Sequence, residues 1–163
     1  MFKKIAVAAA LAVIASSASA QVATKFYVGG DVGSTKIDGF DRETSYGAFV
    51  GYHFNTNFAV EGGYRRLADF DVQGADLTLD QRAISIIGSL PLSNGFGVFA
   101  RVGYNDLKAK ASVRGFSGSE STDGALVGVG ATYAIAPNIS ARAEIQRPSD
   151  DSTNFSVGVS FGF

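Results

Sequence analysis

The last nine residues alternate without a break. Phe155, Val157, Val159, Phe161 and Phe163 share one face of a strand, and Ser156, Gly158, Ser160 and Gly162 share the other, because strand side chains repeat with period two. Comparable runs recur upstream. Phe26, Val28 and Val32 oppose Tyr27, Gly29, Asp31 and Gly33. Tyr46, Ala48, Val50, Tyr52 and Phe54 oppose Gly47, Phe49, Gly51 and His53, and Phe58, Val60 and Tyr64 oppose Ala59, Glu61, Gly63 and Arg65. Further on, Phe96, Val98, Ala100, Val102 and Tyr104 oppose Gly97, Phe99, Arg101 and Gly103. Val127, Val129, Ala131, Tyr133 and Ile135 oppose Gly128, Gly130, Thr132 and Ala134; Ile139, Ala141, Ala143 and Ile145 oppose Ser140, Arg142, Glu144 and Gln146. The fourth run is irregular. Ile84, Ile86 and Leu90 oppose Ala83, Ser85 and Ile87, but Leu77 and Leu79 have the opposite parity. A bulge near residues 80–82 reconciles them, as does a strand that leaves its apolar surroundings there.

Three tight polar breaks, Asn55-Thr56-Asn57, Ser93-Asn94-Gly95 and Pro137-Asn138, join neighbouring runs as hairpin turns do. Longer polar stretches at 38–44, 68–76, 112–123 and 148–154 separate the others. Three short turns, four longer loops and two ends make eight strands. Short connections at one end and long ones at the other are the arrangement of outer-membrane barrels, with termini and turns in the periplasm.

Soluble sandwich strands usually carry Lys, Glu, Thr or Gln on the polar face. Here that face is largely Ser and Gly, which suits a narrow, crowded lumen, while Phe and Val suit hydrocarbon. Charge decides which face is which. Asp31, Glu61, Arg65, Arg101, Arg142 and Glu144 all lie on the small-residue face, and an Arg or Lys facing lipid at mid-bilayer costs ~2–4 kcal/mol. Three acids and three bases can neutralise one another, so the expected interior is polar, paired and full. Tyr52, Phe54, Phe58, Tyr64, Phe96, Tyr104, Tyr133 and Phe163 fall toward strand ends, as an interfacial girdle requires. The expected fold is all-β, an eight-stranded antiparallel up-and-down transmembrane β-barrel.

The other end of the chain supplies an address. Lys3 and Lys4, the apolar run 5–14 and the small residues Ala18-Ser19-Ala20 read as an export signal at 1–20, with a mature barrel domain at 21–163 beginning on Gln21. The apolar run is far short of the ~20 residues of a spanning helix. Without Lys3 and Lys4, 12 basic residues face 15 acidic ones, which offers no footprint for nucleic acid. The absence of cysteine removes disulfides and thiolate chemistry.

Gly47-Ala48-Phe49-Val50-Gly51-Tyr52-His53-Phe54-Asn55, followed by Glu61-Gly62-Gly63-Tyr64, resembles the second and third strands of the OmpA-like transmembrane domain. The stretch from Pro91-Leu92 to Phe99-Ala100-Arg101-Val102-Gly103 resembles its middle periplasmic turn and fifth strand, and the run from Gly130 through Pro137-Asn138-Ile139 to Arg142-Ala143-Glu144 its sixth and seventh. The resemblance covers most of the mature chain and leaves the loops unmatched. It implies an ionic network closing the lumen, with Glu61, Arg101, Arg142 and Glu144 at matching positions. Two positions depart from the family's pattern. Asp31 stands where a lysine is common and Thr132 where a glutamate is, and the inward face of the fourth strand has no lysine. The network is therefore expected to be rewired, with Asp31 turning to one of the arginines, and the family's gating does not transfer. The peptidoglycan-binding domain of many members has no counterpart in the chain, so no cell-wall tether is expected. A terminal Phe163 preceded at every second position by Phe161, Val159, Val157 and Phe155 resembles the signal read by the barrel assembly machinery.

Eight strands leave room for side chains and little else, so the expected role is structural: envelope integrity and display of four surface loops. Expected partners are outer-membrane lipid including lipopolysaccharide, the barrel assembly machinery at the last strand, and an extracellular ligand at the loops. A narrow ion channel gated by exchange of lumen ion pairs is one alternative. Adhesion through Val113, Arg114 and Phe116 in the third loop is another. Neither catalytic residues nor a cofactor or metal is expected. Lipid ester hydrolysis, which some similar small barrels perform with Ser and His, needs a base near the nucleophile on the lipid face. The single histidine, His53, instead points inward beside a periplasmic turn. One His and no Cys likewise fail as a metal site. A soluble lipocalin-like barrel with the faces exchanged is the remaining competitor, and it would have an outer surface of Gly, Ser and Ala.

Overall fold

The computed structural model describes residues 25–37, 39, 42–72, 75–113 and 116–163, with backbone alone at 69–72, 75–77, 110–113 and 116–119. The export signal at 1–20, Gln21 and Arg114 lie outside the described residues, as do the side chains of Val113 and Phe116. The alternating runs form β1 (Phe26–Ile37), β2 (Glu43–His53), β3 (Phe58–Val72), β4 (Ala75–Pro91), β5 (Phe96–Val113), β6 (Phe116–Ala136), β7 (Ile139–Ser149) and β8 (Ser152–Gly162). Each pairs antiparallel with the next, and β8 returns to β1, closing the barrel in sequence order. At the seam Val28 lies opposite Phe161 and Gly30 opposite Val159. Phe163 N–H donates to the Phe26 carbonyl at 2.9 Å and Phe26 N–H to the Phe163 carbonyl at 3.2 Å.

The three short turns form where the polar breaks place them. Asn55 Oδ1 accepts from the N–H groups of Asn57 and Phe58, both at 2.8 Å, and so holds the first turn. At the second, Asn94 and Gly95 take left-handed φ of 59° and 80°, which Gly adopts without strain and Asn tolerates.

Three of the four connections at the other end are not the long loops that the polar stretches suggest, and only the first, between Ile37 and Glu43, keeps about its expected length. β3 and β4 stay paired until Val72 meets Ala75, and β5 and β6 until Val113 meets Phe116. Only Asp150 and Asp151 separate β7 from β8. The cause is physical. Apolar alternation reports contact with lipid, whereas the ladder needs only backbone groups, so alternation fades where the ribbons leave hydrocarbon and the pairing goes on. A crossing takes ~9–11 residues, and β3 to β6 have 15, 17, 18 and 21. These four strands project beyond the bilayer as paired ribbons.

The irregularity expected near residues 80–82 lies across the ladder. β4 keeps register with β5 from Ala75–Val113 to Pro91–Gly97. β3 instead passes from Arg66, opposite Asp80, to Ala68, opposite Leu79, so Leu67 is the extra residue of a bulge. Leu67 and Ala68 are completely buried. Leu79 keeps the inward parity of Ser85 and Ile87, and its exception in the sequence pattern marks an apolar layer inside the upper barrel.

The faces are assigned as charge requires. Val129 is 61% exposed on the outer wall, whereas Glu61 and Glu144 are each 2% exposed inside. The inward glycines have a definite use. Tyr27 lies opposite Gly51, Phe49 opposite Gly29 and Phe99 opposite Gly130. In each pair the ring occupies the space that a Cβ on the glycine would need. One strand thus lays an aromatic over its neighbour's bare backbone, and the narrow lumen fills without clash. Gly51→Val is expected to cost about 1–3 kcal/mol in urea unfolding from lipid vesicles. Tyr27→Ala in the same chain should recover part of that loss by removing the clashing ring. A strictly additive double variant would refute this packing account.

Candidate functional site

Three strands deliver the four central charges to one level of the lumen. Glu61 comes from β3, Arg101 from β5, and Arg142 and Glu144 from β7, all at inward positions. They form a closed ring. Arg101 Nε donates to Glu144 Oε1 at 2.5 Å and Arg101 Nη2 to Glu61 Oε1; Arg142 Nη1 donates to Glu61 Oε2 at 2.8 Å and Arg142 Nη2 to Glu144 Oε2 at 2.7 Å. Each guanidinium bridges both carboxylates, so the ring is electrically neutral. Tyr27 Oη donates to Glu61 Oε2 at 3.0 Å and Arg101 Nη1 to Ser85 Oγ at 3.2 Å. The Arg142 guanidinium also sits over the rings of Phe49 and Phe99, 4.5 and 4.8 Å from their centroids, where the negative ring faces favour a cation. All six lumen charges read from the sequence are paired inside.

A second cluster lies toward the projecting ribbons. Asp31 Oδ2 accepts from Arg65 Nη2 at 2.6 Å, so Arg65 is the arginine to which Asp31 turns. Asn154 ties this pair to the wall. Its Oδ1 accepts from Arg65 Nη1, and its Nδ2 donates to Thr35 Oγ1 at 2.9 Å and Ser45 Oγ at 2.6 Å. In the sequence Asn154 falls in the polar stretch 148–154, which reads as loop, and the alternation alone does not single out Thr35 or Ser45. A signal was present: Ser152 and Asn154 continue the even-numbered inward parity of Ser156, Gly158 and Ser160. It was masked because the outward positions there have also turned polar. Asp31 Oδ1 and Gln81 Nε2 have no hydrogen-bond partner among the described residues, and both residues border a cavity of about 20 Å³ between the two clusters. That space admits one water molecule.

The lumen is less polar than expected. Leu67 and Leu126 are fully buried, and Tyr27, Phe49, Ile87 and Phe99 nearly so. The interior is layered, with ions sandwiched by rings and aliphatic side chains. At the turn end a vestibule of about 380 Å³ reaches in to Tyr27, Thr132 and Arg142. His53 faces this vestibule with its ring 4.7 Å from that of Tyr27, so it lies inward and at the turn end as expected. Thr132, which replaces a carboxylate in the family's pattern, leaves room there.

Outside, Phe155, Val157, Val159 and Phe161 of β8, and Phe163 just beyond it, are all exposed on the outer wall. Phe26 packs against Tyr52 and Phe163, and Phe96 against Tyr133, which forms the turn-end part of the girdle. At the opposite rim Arg66 Nε bonds Asp80 Oδ1 at 3.0 Å beside Tyr46. These outward charges stand where the apolar band ends.

A closed antiparallel barrel with an oily exterior and a charge-compensated interior is an integral β-barrel membrane protein. Residues 5–163 match the family described as outer membrane protein beta-barrel domain, and the chain belongs to that family. Among proteins with curated descriptions none matches. Solved structures with the same fold include Neisserial surface protein A (19% identity, 85% of this chain and 97% of that one, TM-score 0.72). The attachment invasion locus protein Ail of Yersinia pestis, solved with the heparin analogue sucrose octasulfate, shares 20% identity over 86% of this chain and 97% of its own, with a TM-score of 0.63. The N-terminal β-barrel domain of Pseudomonas aeruginosa OprF follows at 17% over 84% and 97%, with a TM-score of 0.62. The recognition of a small eight-stranded outer-membrane barrel is borne out.

Removing one member of the ring strands its partners in low dielectric. Arg101→Ala is expected to cost about 3–5 kcal/mol in unfolding from vesicles, while Arg147→Ala, whose exposed guanidinium bonds the Asp150 carbonyl, costs under about 1 kcal/mol. Equal losses would show that the ring holds no special place in the stability of the barrel.

Proposed function

We propose that the protein is a structural barrel whose lumen is permanently plugged, contributing to envelope integrity and displaying its paired ribbons at the cell surface. The neutral four-membered ring carries this reading. Both carboxylates already hold two guanidinium partners, so the alternative arrangement that a gate requires offers them no better pairing. The apolar layer at Leu67 and Leu126 adds a second obstruction. In this reading the termini and short turns face the periplasm, the barrel assembly machinery engages β8, and lipopolysaccharide surrounds the ribbon end. The protein performs no catalysis.

Planar bilayer recording on the refolded barrel is expected to give no stable conductance steps, with Arg142→Ala, which breaks the ring but keeps the apolar layer, as the comparison. Regular openings in the unaltered protein would overturn the plugged reading in favour of a channel.

A second reading, adhesion, draws on the height of the β3 to β6 ribbons and on the likeness to Ail, which was solved with a heparin analogue. Deleting residues 113–119, at the tip of the β5–β6 ribbon, is expected to reduce attachment of bacteria to host cells if the ribbons bind. Attachment unchanged by the deletion would remove that reading and leave the structural one standing.

A further inference from the structure

The outer wall is not uniformly bulky. Gly88 on β4 lies opposite Ala100 on β5, in one register row with Val129, Ile145 and Phe155. With Ala143 these residues bound a concavity of about 740 Å³ on the lipid side, lined almost wholly by apolar atoms. Gly88, Ala100 and Ala143 make its floor, and the larger side chains make its walls.

The ribbon end of this groove is charged. One outward step beyond Phe155 on β8 is Thr153, and one beyond Ile145 on β7 is Arg147. The β7–β8 ladder shifts between Gln146 and Ser149, which sets Arg147 and Pro148 opposite Thr153. Pro148 is buried, and Arg147 is exposed on the outer face. On the other side of β8, Lys36 of β1 lies directly opposite Thr153. Two exposed cations therefore flank one exposed hydroxyl immediately above Phe155. Arg147 Nη2 donates to the Asp150 carbonyl at 2.6 Å, and the rest of its guanidinium edge remains available. Lys36 makes no ion pair among the described residues, and Arg42, one residue before β2, adds a third exposed cation beside it. Asp150 and Asp151 belong to the β7–β8 tip and lie farther from the groove along the chain, and Glu43, opposite Thr35 on β2, sits at an inward position of its strand. Among the described residues the turn end carries one exposed cation, Lys25 just before β1, and its outward strand positions are aromatic or aliphatic, so no pair of cations flanks a hydroxyl there.

We infer that the groove is a specific lipid site. It seats an acyl chain of an anionic, phosphate-bearing lipid in the leaflet at the ribbon end, with the phosphate held between Arg147 and Lys36 and the Thr153 hydroxyl as a further donor. An apolar trough fits a chain but selects no headgroup. The cation pair supplies that selection, because a guanidinium meets phosphate oxygens with paired N–H donors and each basic residue at a membrane surface strengthens binding of anionic lipid. The site rests on the lipid-facing exterior and is independent of the lumen, so its failure would leave the plugged reading intact.

Native mass spectrometry of the folded protein, released from detergent containing equal amounts of phosphatidylglycerol and phosphatidylcholine with identical chains, tests the inference. The unaltered barrel is expected to retain phosphatidylglycerol preferentially. Arg147→Gln and Lys36→Gln should each lower that preference about fivefold. Gly88→Leu, which fills the floor, should lower retention of both lipids, and Ala143→Val serves the same purpose if Gly88→Leu fails to give the compact, heat-modifiable form. Equal retention of the two lipids, or a preference untouched by either charge variant, overturns the inference. So does release of phosphatidylglycerol by excess inorganic phosphate, which would mark a phosphate site without a groove.

Discussion

Hydrocarbon offers no partner to a peptide N–H or carbonyl, and the rest of this molecule follows from that constraint. Each unsatisfied backbone group within the bilayer would cost several kcal/mol, so strands cross only as a ladder with no free edge. The return of β8 to β1 meets the requirement. Closure in turn fixes side-chain direction, because a barrel has an inside and an outside and a one-residue slip would send the arginines into lipid. The oily wall and the charged interior are two consequences of one geometry.

Inside the barrel the problem is reversed, since eight strands enclose little space and much of the available chemistry is polar. Taking charges out of water is expensive, and attraction offsets that cost only with good geometry and full hydrogen bonding. The ring of Arg101, Arg142, Glu61 and Glu144 meets both conditions by giving every charge two opposite partners. Aromatic rings laid over glycines fill the space around it, and the Phe49 and Phe99 faces press on Arg142 from within the same layer. Packing and electrostatics are therefore not separable here. The glycines set where the rings lie, and the rings restrict where Arg142 can go.

Much of this was legible in the chain. Strand number, the three tight turns, the sign of each face and all six lumen charges follow from period-two alternation together with the position of charge, because within the hydrocarbon every residue answers to one of two solvents. Legibility ends where that contrast ends. Beyond the bilayer water lies on both sides, so residues 68–76 and 112–123 read as loop although much of their backbone is paired. Asn154, the hub of the second cluster, was missed for the same reason. Leu79 stands out in the pattern, but the pattern does not choose between a bulge near residues 80–82 and a strand leaving its apolar surroundings, since a bulge at Leu67 of β3 leaves no trace in β4 itself. Pairing within the ring depends on heights of side chains around a tilted cylinder, which spacing along a chain does not encode. The family pattern identified the participants, and Asp31 to Arg65 is where this chain departs from it.

The seam between the first and last strands has a kinetic meaning. Its partners, such as Val28 and Phe161, are about as far apart in sequence as the chain permits, and contacts between distant segments form slowly because loop closure is costly before any bond repays it. Adjacent hairpins form early and locally, while the barrel becomes a single cooperative object only at the final zippering. Until then it exposes two raw strand edges able to pair with any extended segment nearby. The half-made sheet is thus the species most open to mispairing, and shielding of β1 and β8 during insertion protects it until the ring is shut.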